Sequence, residues 1–198
     1  MSDSFIKSNY VLDCKGLACP MPIVRTKKAI DSLNPGEVIE VQATDKGSKA
    51  DLQGWAKTTG NHYLGTVQEG DVLKHFVRKV SVDELKQDAN FSKTISIEEL
   101  ESKLANDEPA YVLDVREPAE YAFERINGAK SIPLGELEKR LGELDRSSDI
   151  YVVCRTGIRS DFACQLLSEN GFLKVRNVTG GMTGWKGPLI RQYVSGGS

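Results

Sequence analysis

The chain is short of most features that would mark a membrane, secreted or metal-dependent protein. No window of about 18 apolar residues occurs, which excludes a spanning helix of ordinary length. Met1–Lys7 carries no apolar stretch of the signal-peptide kind, so a reducing cytosol is the expected compartment. Only four cysteines are present, scattered at 14, 19, 154 and 164, which reads as chemistry or core and not as a disulfide framework. The two histidines, His62 and His75, have no partner at ligand spacing, and no second cysteine pair completes a zinc site. No Gly-x-Gly-x-x-Gly follows a first strand, so Gly180-Gly181 is a weak dinucleotide signal. Charge is nearly balanced at −2, with 11 Lys/Arg against 9 Asp/Glu in residues 1–80 and 15 against 19 in residues 81–198. That balance is far too mild for a nucleic-acid partner. No cofactor, metal, membrane or nucleic acid is expected, and oligomeric state is left open.

What is present is strand–helix alternation of two kinds. At 198 residues the length allows one or two domains. The first half reads as strand Tyr10–Asp13, helix Pro20–Leu33, strand Val38–Ala43, helix Asp51–Thr59, and strands His62–Val67 and Val72–Val80 around a Gln68-Glu69-Gly70-Asp71 turn. This β-α-β-α-β-β order predicts a two-layer α+β sandwich over residues 1–80. Residues 81–92 are polar and charged and read as a linker. From 93 to 198 the pattern is α/β. Helices are expected at Ile97–Leu104, Glu117–Glu124, Glu136–Leu144 and Arg159–Asn170, with strands Tyr111–Val115, Ala129–Ile132, Ile150–Val153 and Val175–Val178, and a short helix around Trp185. Such alternation predicts a central parallel sheet covered on both faces, with ligands beyond the carboxyl ends of its strands.

Cys154 stands at such an end, in Tyr151-Val152-Val153-Cys154-Arg155-Thr156-Gly157-Ile158-Arg159-Ser160. Successive N–H groups in a tight turn make a nest for negative charge, and the next helix adds its amino-terminal amides. Gly157 permits the bend, while Arg155 and Arg159 are expected to put positive charge at the rim. The cradle of Arg155, Thr156, Gly157, Ile158 and Arg159 suits Cys–S⁻ or Cys–S–S⁻ and needs no separate base. A cysteine phosphatase uses Cys-x5-Arg, whereas here the count is Cys-x4-Arg, with Ser160 at the sixth place. The shorter loop predicts a cradle for a single sulfur atom.

Cys19 occupies a second strand-to-helix junction, Leu17-Ala18-Cys19-Pro20-Met21-Pro22. Both prolines suit a first helical turn, and both remove amides that would have bonded the sulfur. Cys19 is therefore expected to be a less acidic thiol than Cys154, and a better attacking group once ionised. Arg25, Lys27 and Lys28 give the helix a basic side. Cys14 reads as strand-end packing, with a disulfide to Cys19 or a shared metal as alternatives. Cys164 reads as core.

Residues 92–191 resemble the rhodanese family through Tyr111-Val112-Leu113-Asp114-Val115-Arg116-Glu117-Pro118, Asn127-Gly128-Ala129-Lys130-Ser131-Ile132-Pro133, the Cys154 loop and Gly180-Gly181-Met182-Thr183-Gly184-Trp185. Glu124-Arg125-Ile126 departs from the family's frequent Gly-His-Ile. Residues 8–80 resemble the TusA/SirA-like sulfur carriers through Leu12–Pro22, Thr44-Asp45, Asp51, Trp55 and Gly60. The first resemblance implies sulfur transfer from thiosulfate or a low-molecular-weight persulfide through a Cys154 persulfide. The second implies that Cys19 carries a persulfide to an acceptor protein. Together they predict a relay from Cys154 to Cys19. Two other readings stay open: a non-catalytic first domain that recruits the acceptor, and a thiol redox protein using Cys14 and Cys19.

Overall fold

The computed structural model describes residues 6–85 and 90–192, and these divide into two compact units, 6–85 together with 191–192, and 90–190. In the first, β1 (Tyr10–Asp13), α1 (Met21–Asp31), β2 (Val38–Ala43), α2 (Ser48–Thr59), β3 (His62–Glu69) and β4 (Val72–Arg78) follow the expected order. The sheet runs β1-β2-β4-β3, with β1 parallel to β2 and the other pairs antiparallel. Period-two alternation along β2 puts Ile39 and Val41 in one cluster with Ile30 of α1 and Leu52 and Ala56 of α2. Helix α2 starts at Ser48, three residues earlier than its sequence pattern indicates. There the Ser48 hydroxyl donates to the Asp45 carbonyl at 2.6 Å and lies 2.9 Å from His75 Nε2.

His75 is fully buried on β4, with Tyr63 Oη at 2.8 Å and Thr66 Oγ1 at 3.0 Å from Nδ1. Burial, reinforced by the Lys49 charge, lowers its pKa to about 4. Above pH ~6.5 the ring is neutral in both folded and unfolded chains. As pH falls from there toward 4, the unfolded chain takes up a proton that the folded one refuses, so stability is lost. The first domain is expected to lose about 2 kcal/mol between pH 7 and pH 5. The check is the urea midpoint, followed by Trp55 fluorescence in a Trp185→Phe background. His75→Gln should flatten the dependence; a flat profile in the parent protein would refute the assignment.

The second unit contains β5 (Thr94–Ile95), α3 (Ile97–Ala105), β6 (Tyr111–Asp114), α4 (Pro118–Phe123), β7 (Glu124–Ile126), β8 (Lys130–Ser131), α5 (Leu134–Leu137), β9 (Ile150–Val153), α6 (Ile158–Glu169), β10 (Val175–Val178), α7 (Gly181–Gly184) and β11 (Leu189–Arg191). A parallel sheet ordered β5-β10-β9-β6-β8 forms its centre. Its two faces are apolar, as a doubly covered sheet requires. Ile150, Val152 and Cys154 join Leu113, Ala163 and Leu167 in one cluster, while Tyr151 and Val153 join Val112, Leu100 and Met182 in another. Helix α3 starts on a capping box in which Ser96 Oγ accepts from Glu99 N at 3.1 Å and Glu99 Oε2 accepts from Ser96 N at 2.8 Å.

The structure departs from the expected elements in a few places. The helix expected over Glu136–Leu144 is the short α5 followed by a 3-10 segment, Glu138–Glu143, in a stretch that contains Gly135 and Gly142. Strands β5, β7 and β11 span only two or three residues, too few to show a period. The ends of the 81–92 stretch are tied within their own units. The Glu84 carboxylate accepts two bonds from buried Arg78 at 2.9 and 2.7 Å, and the Phe91 N–H donates to Asp161 at 2.8 Å.

Candidate functional site

Strand β9 delivers Cys154 at its carboxyl end, and α6 begins four residues later. Gly157 between them takes φ 103° and ψ −8°, a region that side chains resist. That bend aims its N–H at Cys154 Sγ, 3.1 Å away. Ser160 Oγ is 3.3 Å from the same sulfur and 2.6 Å from Asn177 Oδ1. Among the described residues, Gly157 is the one backbone amide within hydrogen-bond reach of Sγ, a narrower set than the ring of amides expected over 155–159. Cys154 is only 1% exposed, so the sulfur sits inside its loop and not on top of it.

The loop's arginines differ in placement. Arg159, expected at the rim, is buried and faces Glu120 of α4 with two bonds, Nη1–Oε2 at 2.7 Å and Nη2–Oε1 at 3.0 Å. Its charge is neutralised within the fold, so it holds the loop to α4 and does not advertise positive charge to solvent. Arg116 is likewise buried, donating to Asp114 at 2.6 to 3.0 Å and to the Glu124 carbonyl at 2.8 Å. Arg155 is half-buried with no ion pair to a described residue, and withdrawal from water lowers its pKa. Thr156 beside it is exposed and Ile158 half-buried.

At the other junction Cys19 is exposed at the start of α1. The Asp51 carboxylate, an acceptor for the neutral thiol, then partial loss of water, then the charges of Asp51 and Asp45, push the Cys19 pKa up. The helix-end environment therefore does not favour the thiolate here, because two carboxylates outweigh it. Cys14 is fully buried in the first domain's core, and burial raises its thiol pKa as well. Cys164 is fully buried in α6 and raised by the same cause.

Two families match in tandem. Residues 10–79 match the family described as Sulfurtransferase TusA, and residues 96–188 match the Rhodanese-like domain. YrkF of Bacillus subtilis strain 168, a sulfur carrier by name, is 50% identical over 182 residues, covering 92% of this chain and 98% of that protein. The chain belongs to this family of TusA–rhodanese fusions. A protein of Allochromatium vinosum named Sulfurtransferase is 35% identical over 91 residues, 46% of this chain and 85% of its own length. A rhodanese-related protein of Thermoplasma volcanium, solved by crystallography, is 33% identical and superposes with a TM-score of 0.46, covering 50% of this chain and 97% of that one.

Three further residues shape the rhodanese loop, and two of them, Asn177 and Glu120, lie outside every motif noted above. Asn177 of β10 is 1% exposed, and its Nδ2 donates to the Gly157 carbonyl at 3.0 Å. Glu120 lies 39 residues before the arginine it holds. Gly181, at φ 54°, lets the 180–184 turn press against the loop, where Met182 N–H donates to the Cys154 carbonyl at 2.8 Å and Thr183 N–H to the Arg155 carbonyl at 3.0 Å. Asn177 follows Arg176 in Val175-Arg176-Asn177-Val178 and so gave no distinct hint, whereas the glycine pair was the hint for the close approach. Among the described residues no helix is long and apolar enough to cross a membrane, and no three metal-ligating side chains cluster.

Proposed function

We propose that the rhodanese domain of this protein takes a sulfane sulfur onto Cys154 and passes it to Cys19, which delivers it to an acceptor protein. In the first step the Cys154 thiolate attacks the outer sulfur of thiosulfate or of a low-molecular-weight persulfide. The donor's S–S bond breaks and, for thiosulfate, sulfite leaves with the bonding pair, giving Cys154–S–S⁻. In the second step the Cys19 thiolate attacks that outer sulfur, and Cys154 departs as a thiolate. The observation that carries the reading is the Gly157 N–H held 3.1 Å from a cysteine sulfur at the carboxyl end of a parallel strand. A fixed dipole placed there stabilises negative charge without reorganisation. Arg155, with no ion pair to a described residue, is the loop cation that meets an anionic donor. Because Cys154 is buried, the 155–156 rim must part from the sulfur for a donor to reach it.

Several features support Cys19 as the acceptor. It is exposed, it lies in the carrier domain, and its raised thiol is a strong nucleophile in its ionised fraction. Residues 81–92, whose ends are tied to their own units, act as the tether that raises the effective concentration of one thiol at the other. Full burial of Cys14 counts against a Cys14–Cys19 redox couple. Site-resolved mass spectrometry after treatment with thiosulfate, and separately with a small persulfide, tests the scheme. Both cysteines should gain ~32 Da in the parent protein, the mass of one sulfur on an activated thiol. Cys154→Ser should leave Cys19 unmodified. A Cys19 persulfide that forms normally in Cys154→Ser refutes the direction, and a mass loss of ~2 Da on the first domain favours the redox reading.

A further inference from the structure

Behind Cys154 lies a chain of buried polar groups that a sulfur cradle built from backbone amides does not require. Asn177 Nδ2 faces two acceptors, the Gly157 carbonyl at 3.0 Å and Asp161 Oδ1 at 3.4 Å. Those acceptors fix the amide's orientation, so Oδ1 is the atom that faces Ser160. An amide oxygen carries no hydrogen, so the 2.6 Å contact is Ser160 donating to Asn177. A hydroxyl has a single hydrogen, and that hydrogen is therefore not on the sulfur 3.3 Å away. Instead a lone pair of Ser160 Oγ faces Cys154, ready to accept from a neutral S–H.

We propose that Ser160 and Asn177 form a hydrogen-bond switch that sets how readily Cys154 carries negative charge. This inference rests on the reading of Cys154 as the sulfur-bearing residue. With a neutral thiol the chain runs S–H to Oγ, then O–H to Oδ1, and every group is satisfied. When the sulfur becomes S⁻ or S–S⁻ it needs donors, and the Ser160 hydroxyl supplies one by rotating away from Asn177. Asn177 thus competes with the sulfur for the same hydrogen and yields it once a persulfide forms. Both are positioning residues: Ser160 bonds the reacting sulfur, and Asn177 acts through Ser160. Asp161 anchors the pair, since its carboxylate also accepts the Asn90 and Phe91 amides at 3.2 and 2.8 Å.

A competition between two acceptors predicts opposite signs for the two substitutions. Site-resolved alkylation of Cys154 by iodoacetamide in the full chain, followed across pH, reads them without any sulfur transfer. Ser160→Ala removes the donor, so the profile should move to higher pH and the rate at pH 7 should fall about tenfold. Ser160→Thr keeps the hydroxyl and should track the parent. Asn177→Leu frees the hydroxyl for sulfur, so its profile should move to lower pH with a faster rate at pH 7. Should Asn177→Leu fail to fold, Asn177→Ser withdraws the acceptor without an apolar group against Gly157. In Ser160→Ala/Asn177→Leu the Asn177 effect should vanish, since the hydroxyl it competes for is gone. The other charges around the loop are untouched in all variants: Arg155, Arg159 with Glu120, Arg116 with Asp114, and Asp161. Shifts in the same direction for both single variants, or an unchanged profile in Ser160→Ala, overturn the proposal. If the signs are opposite but no sulfur is ever taken up, the switch stands and the sulfurtransferase reading falls.

Discussion

Glu120→Ala is expected to destabilise the rhodanese domain by about 3–5 kcal/mol, a large share of the ~5–15 kcal/mol that holds a typical domain folded. Arg159 is 4% exposed, and the substitution removes both carboxylate oxygens that face its guanidinium at 2.7 and 3.0 Å. It also removes the acceptor of the Glu117 N–H in the α4 capping box. The cost arises because a buried cation loses its matching anion while its own desolvation stays unrecovered. Replacing both partners with apolar residues of similar volume, as in Glu120→Leu/Arg159→Met, should restore much of the stability. Glu143→Gln, by contrast, removes an acceptor from Arg140 at the surface and should leave the unfolding midpoint nearly unchanged. Urea unfolding followed by Trp185 fluorescence in a Trp55→Phe background separates these outcomes. A midpoint for Glu120→Ala as small in shift as that of Glu143→Gln would mean that the pair does not hold α4 to the loop.

The contrast between those two glutamates also shows what a linear sequence carries. Cys154 at the close of Ile150–Val153, followed by Gly157 and a helical stretch, could be placed correctly because each piece is local and its periodicity distinct. The order β-α-β-α-β-β of the carrier half was legible for the same reason. Partnerships across the fold were not. Nothing in the spacing of Arg159 announces Glu120, so a charge that reads as rim-exposed proves to be buried and neutralised. Asp51 lies 32 residues beyond Cys19, and only the packing of α2 against α1 lets its carboxylate act on the thiol, against the helix end that the local pattern emphasises. Asn177 reads as an ordinary polar break in a short strand until β10 is seen beside β9, where it meets Gly157 and Ser160. Chemistry set by neighbouring residues was readable; chemistry set by tertiary neighbours was not.

Gly181→Ala should cost the rhodanese domain its sulfur uptake by about a hundredfold or more, the scale on which an ångström of misplacement acts. A Cβ at this position would lie 2.5 Å from the Cys154 carbonyl oxygen and 2.6 Å from that of Arg155. Both obstacles are backbone, and backbone of the reactive loop itself, so no side chain can swing away. Relief must come from separating the 180–184 turn from the loop, which breaks the Met182 and Thr183 bonds at 2.8 and 3.0 Å. The left-handed φ of 54° adds strain for any other residue. Gly184→Ala provides the counterpart. Its Cβ would meet Ile97 Cδ1 at 2.4 Å, a closer approach, yet to the far end of a side chain that can change rotamer. Distance alone would rank Gly184 as the more sensitive site, whereas the nature of the obstacle ranks Gly181 first. The fraction of Cys154 bearing a sulfane sulfur after a fixed exposure to a small persulfide, read by mass spectrometry, distinguishes the two. Near-parent uptake in Gly184→Ala with collapse in Gly181→Ala is the expected outcome. Equal loss in both would show that the cradle depends on the whole turn and not on the contact with the carbonyls of residues 154 and 155.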